Sequence, residues 1–518
     1  MKYKKIVLAI LSIVLSSNIF AQNLNWDWVQ LWNARIKSID VDNNNNVFVL
    51  CHVRDTLNFP DTNLIGDYYK GYLIKIDSSK NFIWATEIDT LNKYSKGNLK
   101  INNDEIIVSY HISNLAVLEK YDLNGNLILR KKMPMGIQIN NFIIDGDNNI
   151  NITGGVFMNS TFEDTTLIVM GYSDMYLLKY NQNFDLLWIN QGGSYSGYKK
   201  GGRIEEGTAL ICDNNNDIYV GGIFCDTAYF NNMQVIGGQS NFMNSFIAKY
   251  SKDGQIKWIK TILADQAYIN DICIDLQQNI YLAGSVCGYQ SIIISDTSDL
   301  NFYCDSYVAK LDSGGNLIWN RNLGYQNGRN DEASSIAIMN NNNLYINGYF
   351  NEQFYCLTDT FTCPYTMLYI VKMEINGNVK WAESAANSNM PVNYFTKLIQ
   401  KQNNLYLIGT LLDSAFFGNT FVSNSGFNDF IAKIFDPTNS NNEVEIINTF
   451  IFPNPFTDNL KVIANVSETI TIFNIIGQLI LIADINPGIN EINTSTFKQG
   501  TYLVKFNTSN LVFKIMKF

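Results

Sequence analysis

SFIAKYSKDGQIKWIKTI, residues 245–262, places a tryptophan nine residues beyond a lysine, with the turn-rich SKDGQ between two apolar runs. The same arrangement recurs along the chain. GYLIK, AVLEK, MYLLK, SFIAK, SYVAK, LYIVK and DFIAK end at Lys75, Lys120, Lys179, Lys249, Lys310, Lys372 and Lys433. Most neighbours are about 60–70 residues apart, and Lys75 to Lys120 is about 45. Nine residues beyond the first six lysines stand Trp84, Leu129, Trp188, Trp258, Trp319 and Trp381. Beyond the seventh stands Asn442, inside the polar DPTNSNNE. A fixed period of this size marks a solenoid, a propeller or another array of supersecondary units.

Each unit reads as four short strands. In the fourth unit they are TALICD, IYVGGIF, SFIAKY and IKWIKTI, joined by Asn-, Asp- and Gly-rich turns that suit tight hairpins. The second strands, such as NVFVLCHV, NIYLAGSV and NLYINGYF, are apolar with weak alternation, which predicts burial of both faces between stacked sheets. Four-stranded units arranged radially make a β-propeller. CDNNNDIYVGG, DLQQNIYLAG and MNNNNLYING resemble bacterial propeller repeats of the D-x-x-G-N-x-Y-V-x-G type. That resemblance spans residues 24–436 and implies the fold, while propellers carry many unrelated activities.

The seventh unit lacks its fourth strand, and the segment before the first unit supplies a spare one. NWDWVQLWN, residues 25–33, holds three of the eight tryptophans. WDWVQLW is predicted to complete the last unit and close a ring of seven blades, removing an open strand edge.

Before it, Lys2, Lys4 and Lys5 precede the apolar run Ile6–Leu15, which is shorter than the roughly 20 residues a membrane span needs. This reads as a secretory signal peptide over residues 1–21, cleaved between Ala21 and Gln22. The net charge of −10 and pI of about 4.9 leave no electrostatic footprint for nucleic acid. Eight cysteines in an exported chain permit disulfides, too few for the length to be its main scaffold.

Composition changes after Asp436. Residues 437–448 read as a linker, and 449–518 alternate as a small β-sandwich would. Pro453-Asn454-Pro455, the IFNIIGQLI stretch with Gly477, and the Gly500–Lys505 run with Tyr502 closely resemble the C-terminal sorting domain of the type IX secretion system of Bacteroidota. The resemblance implies translocation across the outer membrane by that machinery, followed by surface attachment or release.

Candidate sites are few. Asp40-x-Asp42-x-Asn44 and Asp145-x-Asp147-x-Asn149 have the look of calcium loops but lack a distal acid, and Asx-rich turns account for them. The seven lysines are expected at the surface, pairing with carboxylates two residues on, as in Lys75/Asp77, Lys120/Asp122 and Lys310/Asp312. His52 and His111 are the only histidines, and no zinc cluster, nucleophile elbow or phosphate loop occurs. Cys287–Cys304 and Cys356–Cys363 each bracket a loop between a second and a third strand and are the disulfide candidates. No catalytic, cofactor-binding or metal-ligating residue is assigned.

The expected molecule is all-β: a seven-bladed propeller followed by a sorting sandwich, secreted or at the cell surface, and monomeric. Its expected work is binding or adhesion, to an extracellular glycan or a surface protein. The competing reading is a polysaccharide hydrolase or lyase with its acids meeting on the axis.

Overall fold

The computed structural model describes residues 24–436 and 450–518, apart from 68–69, 89–90, 92–95, 103, 113–114, 196–203, 238–242, 289, 294–295, 300–303, 325–328, 341, 357–358, 386, 389–392, 419, 453–455, 465–466, 476, 487 and 507–511. The expected signal peptide with its Ala21/Gln22 cleavage site, the linker 437–448 and the Pro453-Asn454-Pro455 motif lie outside the described residues.

The turn chemistry explains why the strands meet where they do. An Asp or Asn opens most of the tight hairpins and accepts the N–H groups two and four residues on, as Asp213 does from Asn215 and Asp217, while Ser251 and Glu374 open two others. The fourth residue then takes positive φ, as at Asn216 and Gly254. This is the three-residue hairpin loop with a left-handed final residue. Asp42 and Asp145 are spent in the same way, on Asn44 and Asn46, and on Asp147 and Asn149.

Among the described residues seven antiparallel sheets follow one another, four of them with four strands, two extended to six by an added hairpin and one with five. Their first strands are Ala34–Val41, Gly97–Asn102, Ile137–Ile144, Glu206–Cys212, Gln266–Ile274, Arg329–Met339 and Asn393–Lys401. Every second strand up to the fifth unit is buried along nearly its whole length, as in Val47–Val53 and Ile218–Phe224. The last sheet takes its fourth strand from the other end of the chain. Asn25–Trp32 pairs antiparallel with Thr420–Phe435, and Trp28 faces Lys433. In the other sheets that same register position joins Lys75 to Trp84, Lys179 to Trp188 and Lys249 to Trp258. Trp28 therefore stands where residue 442 would have stood.

The opening strand buries both faces. Trp26 packs on Phe417 at 5.1 Å with residues of the sixth and seventh units. Trp28, which meets Tyr406 of its own sheet, and Trp32, which meets Phe59, share a core with the first unit.

Successive units are latched by the repeated tryptophan. Trp188 Nε1 donates to the Lys252 carbonyl of the next unit at 3.1 Å, and its ring lies on Gly254, whose added Cβ would stand 2.8 Å from it. Trp258 and Trp319 repeat the bond, to Ser313 and Ile375. In the second unit Leu129 cannot donate, and Lys131 bonds the Phe184 carbonyl instead.

The lysines differ from expectation. Lys120, Lys179, Lys249, Lys310 and Lys372 are buried. Their partners are Glu105, Asp145, Asp213, Asp275 and Asp436, not the acids two residues on. Those nearer acids open the next turn, so their oxygens are already taken, as Asp77 by Ser79 and Asn81. Burial alone would lower the Lys249 pKa, but hydrogen bonds to Tyr219 and Asp213 outweigh it and raise it.

Hairpins between second and third strands shield sheet edges. Thr227–Phe230 pairs with Leu186–Gly193 of the preceding unit, and Gln290–Ile293 does the same to Ile256–Leu263. Cys287 and Cys304 face each other on neighbouring strands and form a disulfide, Cα atoms 4.0 Å apart. The side chains of Cys356 and Cys363, and with them the second expected bridge, lie outside the described residues.

The chain divides into two compact units, 1–436 and 437–518. In the second, Phe450–Phe452, Asn459–Ala464 and Gly488–Asn493 form one antiparallel sheet. Glu468–Asn474, Leu479–Ile485, Gly500–Phe506 and Val512–Lys517 form another. Leu460 and Val462 from the first share a core with Ile470, Ile472 and Val504 from the second. Gly477 and Gly500 take positive φ, Tyr502 is buried with its hydroxyl on the Lys498 carbonyl, and Lys505 is exposed.

Candidate functional site: the axial cavity

Five of the first strands break their regular pairing at one equivalent place. Two polar residues interrupt the alternation in Ile36-Lys37-Ser38-Ile39, Ile139-Asn140-Asn141-Phe142, Ile269-Asn270-Asp271-Ile272 and Ala333-Ser334-Ser335-Ile336. At each of these, and at Gly207-Thr208-Ala209, the ladder shifts register by one residue. A bulge leaves one residue unpaired and re-aims its side chain. The bulged residues are Lys37, Asn140, Thr208, Asn270 and Ser334, and all five line one cavity of about 760 Å³. Gly97 and Asn98 of the second unit and Thr396 and Lys397 of the seventh line it too, so every unit contributes.

The polar groups bind neighbouring units together. Asn140 donates to the Gly207 carbonyl at 2.9 Å, Thr208 to Ile269 at 2.6 Å, and Asn270 to Ala333 at 3.0 Å. Backbone N–H groups near the bulges are caught by the preceding unit. His111 Nε2 accepts from Ile139, Asp271 from Ile336 and Ser335 from Leu398. Asp40 accepts from Ile101. At the closing junction Asp429 accepts from Ile36 at 2.7 Å and pairs with Arg35 at 3.1 Å. These bonds cross all seven junctions. Each such bond contributes about 0.5–1.5 kcal/mol net. His111 accepts through Nε2, which puts the neutral ring's proton on Nδ1, facing the Lys96 carbonyl. Burial lowers its pKa and keeps it neutral.

Among the described residues four carboxylates line the cavity: Glu206, Asp271, Glu332 and Asp429. Burial raises the pKa of the last three. Each has a partner in the scaffold. Asp271 also accepts from the Ile272 N–H, Glu332 from the Tyr349 hydroxyl at 2.8 Å, and Asp429 from Thr410. Glu206 lies 4.0 Å from Lys96 and 3.5 Å from the Gln138 amide. The cations are Arg35, Lys37, Lys96 and Lys397. Burial lowers the Lys37 pKa to about 8, with Asp429 opposing the shift. Burial and the neighbouring Lys100 lower that of Lys397, against the pull of Asp271. Lys397 and Asp271 sit deep in the protein yet keep some accessible surface, which is cavity surface.

None of these residues was a sequence-predicted site. Of the predicted set, Cys287 and Cys304 come together away from the axis, and the sorting residues belong to the other unit. The doubled polar residue in an alternating first strand was the signal available for the axial ring.

Comparison with known proteins decides the role of the C-terminal unit. Residues 450–518 match the secretion system C-terminal sorting domain. The chain therefore carries the tail that type IX secretion reads, and it is exported to the cell surface or released. The propeller-like region resembles solved structures only distantly. The Dos1 propeller is 9% identical, covering 79% of this chain and 95% of that one, with TM-score 0.42. A WD40 domain from Toxoplasma gondii coronin is 8% identical over 82% and 89%, TM-score 0.40. A streptogramin B lyase is 8% identical over 78% and 97%, TM-score 0.38. No curated protein matches the chain.

Proposed function

We propose that residues 24–436 form a closed seven-bladed β-propeller and 449–518 a sorting sandwich, and that the exported ring works by binding. Its ligand is an extracellular glycan or a surface protein, met by a monomer. The observation that supports this most is the state of the axial acids. Glu206, Asp271, Glu332 and Asp429 are each engaged by scaffold groups, as a ring held together through its axis requires.

A polysaccharide hydrolase or lyase remains the competing reading, favoured by one observation. Asp271 and Glu332 line the same cavity and both have raised pKa values, as catalytic acids do. A screen of glycans and outer-surface proteins against the exported protein tests the binding reading. Saturable binding without change in the ligand supports it. Product formation abolished by Glu332→Gln or Asp271→Asn overturns it.

A further inference from the structure

The cavity's charges are unevenly satisfied. Arg35 is held by Asp429, and Lys96 reaches Asn140 at 2.6 Å and Glu206 at 4.0 Å. The Asp271 oxygens take the N–H groups of Ile272 and Ile336. Lys397 remains, half-buried, with Lys100 as its strongest charged neighbour and no ion pair within 4.0 Å among the described residues. An ammonium so placed is costly unless an anion joins it. Lys37 lines the same cavity. Four cations and four carboxylates are among the described lining residues, so the positive spot is Lys397 itself and not the cavity as a whole.

Much of the remaining lining is hydroxyl and amide, with Glu332 held by the Tyr349 hydroxyl. The Ser334 Oγ is buried without a hydrogen-bond partner, the one bulged residue of the Asn140–Thr208–Asn270 series that does not reach the next unit. Among the described lining residues none is aromatic, so what they offer a ligand is charge and hydrogen bonds rather than stacking. The volume of about 760 Å³ falls within the range of small-molecule sites.

We propose that the axial cavity binds an acidic saccharide unit, with its carboxylate on Lys397 and Lys37 and its hydroxyls on Ser334 and the amides of the bulge ring. This rests on the binding reading above and gives it a ligand class. The two fail separately. Turnover of a uronic acid ligand would end the binding reading and keep the ligand class. A different ligand held outside the cavity would do the reverse.

The test is calorimetric titration of the exported protein with D-glucuronate, D-glucose, acetate and sulfate. Saturable glucuronate binding is expected, with glucose and the two simple anions each at least about tenfold weaker, since both halves of the ligand are needed. Lys397→Met should weaken glucuronate at least about tenfold, and Ser334→Ala about threefold or more. Lys37→Met, placed on a different unit, repeats the first measurement if Lys397→Met does not fold. The proposal is overturned if glucuronate does not bind at millimolar concentration. It is equally overturned if sulfate or acetate binds as well, or if folded Lys397→Met or Lys37→Met binds like the parent.

Discussion

Replacing Trp32 with alanine tests whether the opening strand belongs to the core of the last unit. Trp32 has no exposed surface and meets Phe59 edge-on at 5.6 Å. Burying a tryptophan removes about 150–250 Å² from water. At about 25 cal/mol per Å² that is an upper figure of about 4–6 kcal/mol. Alanine keeps part of the contact, and measured Trp→Ala losses in cores run about 3–5 kcal/mol. The expected loss for Trp32→Ala is therefore about 3–5 kcal/mol. Trp188→Ala is the control, because it removes the partly exposed latch of an internal unit and should cost less, about 1–2 kcal/mol. Urea unfolding followed by circular dichroism reads both, after reversibility is checked. A Trp32→Ala protein within about 1 kcal/mol of the parent, or no weaker than Trp188→Ala, would refute the strand's place in the ring.

Three other outcomes are expected. Asp213→Ala strips the buried Lys249 of a carboxylate 3.1 Å away and should cost about 3 kcal/mol, near the low end for a broken buried pair because Asp217 stands at 3.2 Å; double-mutant cycles with Lys249→Met would show the coupling. Burial raises Glu205 to about 7 against Ser194 hydrogen bonds that lower it, so the folded state holds a proton that the unfolded chain has released. Its stabilisation is full below about pH 4.5, is lost as pH rises to about 7, and at about 1.4 kcal/mol per pH unit amounts to about 3 kcal/mol. Urea midpoints between pH 4.5 and 8 should show that fall, and Glu205→Gln should reduce it to the share left by the other raised carboxylates, among them Asp174 and Asp305 at about 6. Deleting residues 449–518 should leave the protein in the periplasm, read by cell fractionation and surface protease treatment.

The repeat was legible because a lysine and a tryptophan nine residues apart face each other across a hairpin in every unit that has both. The missing seventh tryptophan correctly pointed to the N-terminus, and Trp28 opposite Lys433 is that residue. The lysines' partners were hidden for a local reason. Alternation says which face a side chain shares, but not that Asp77 and Asp312 are consumed by their own turns. The axial ring was hidden by its variety. Lys37, Asn140, Thr208, Asn270 and Ser334 share a position but not a chemistry, and their common feature is a bulge that pairing alone reveals.

The central claim is that the axial acids hold the ring together while the ring binds without chemistry. It is tested most directly by measuring binding and turnover together, on one acidic oligosaccharide incubated with the exported protein. The account predicts saturable binding with no new reducing ends or unsaturated products over prolonged incubation. Steady product formation that disappears in folded Glu332→Gln or Asp271→Asn protein would contradict it.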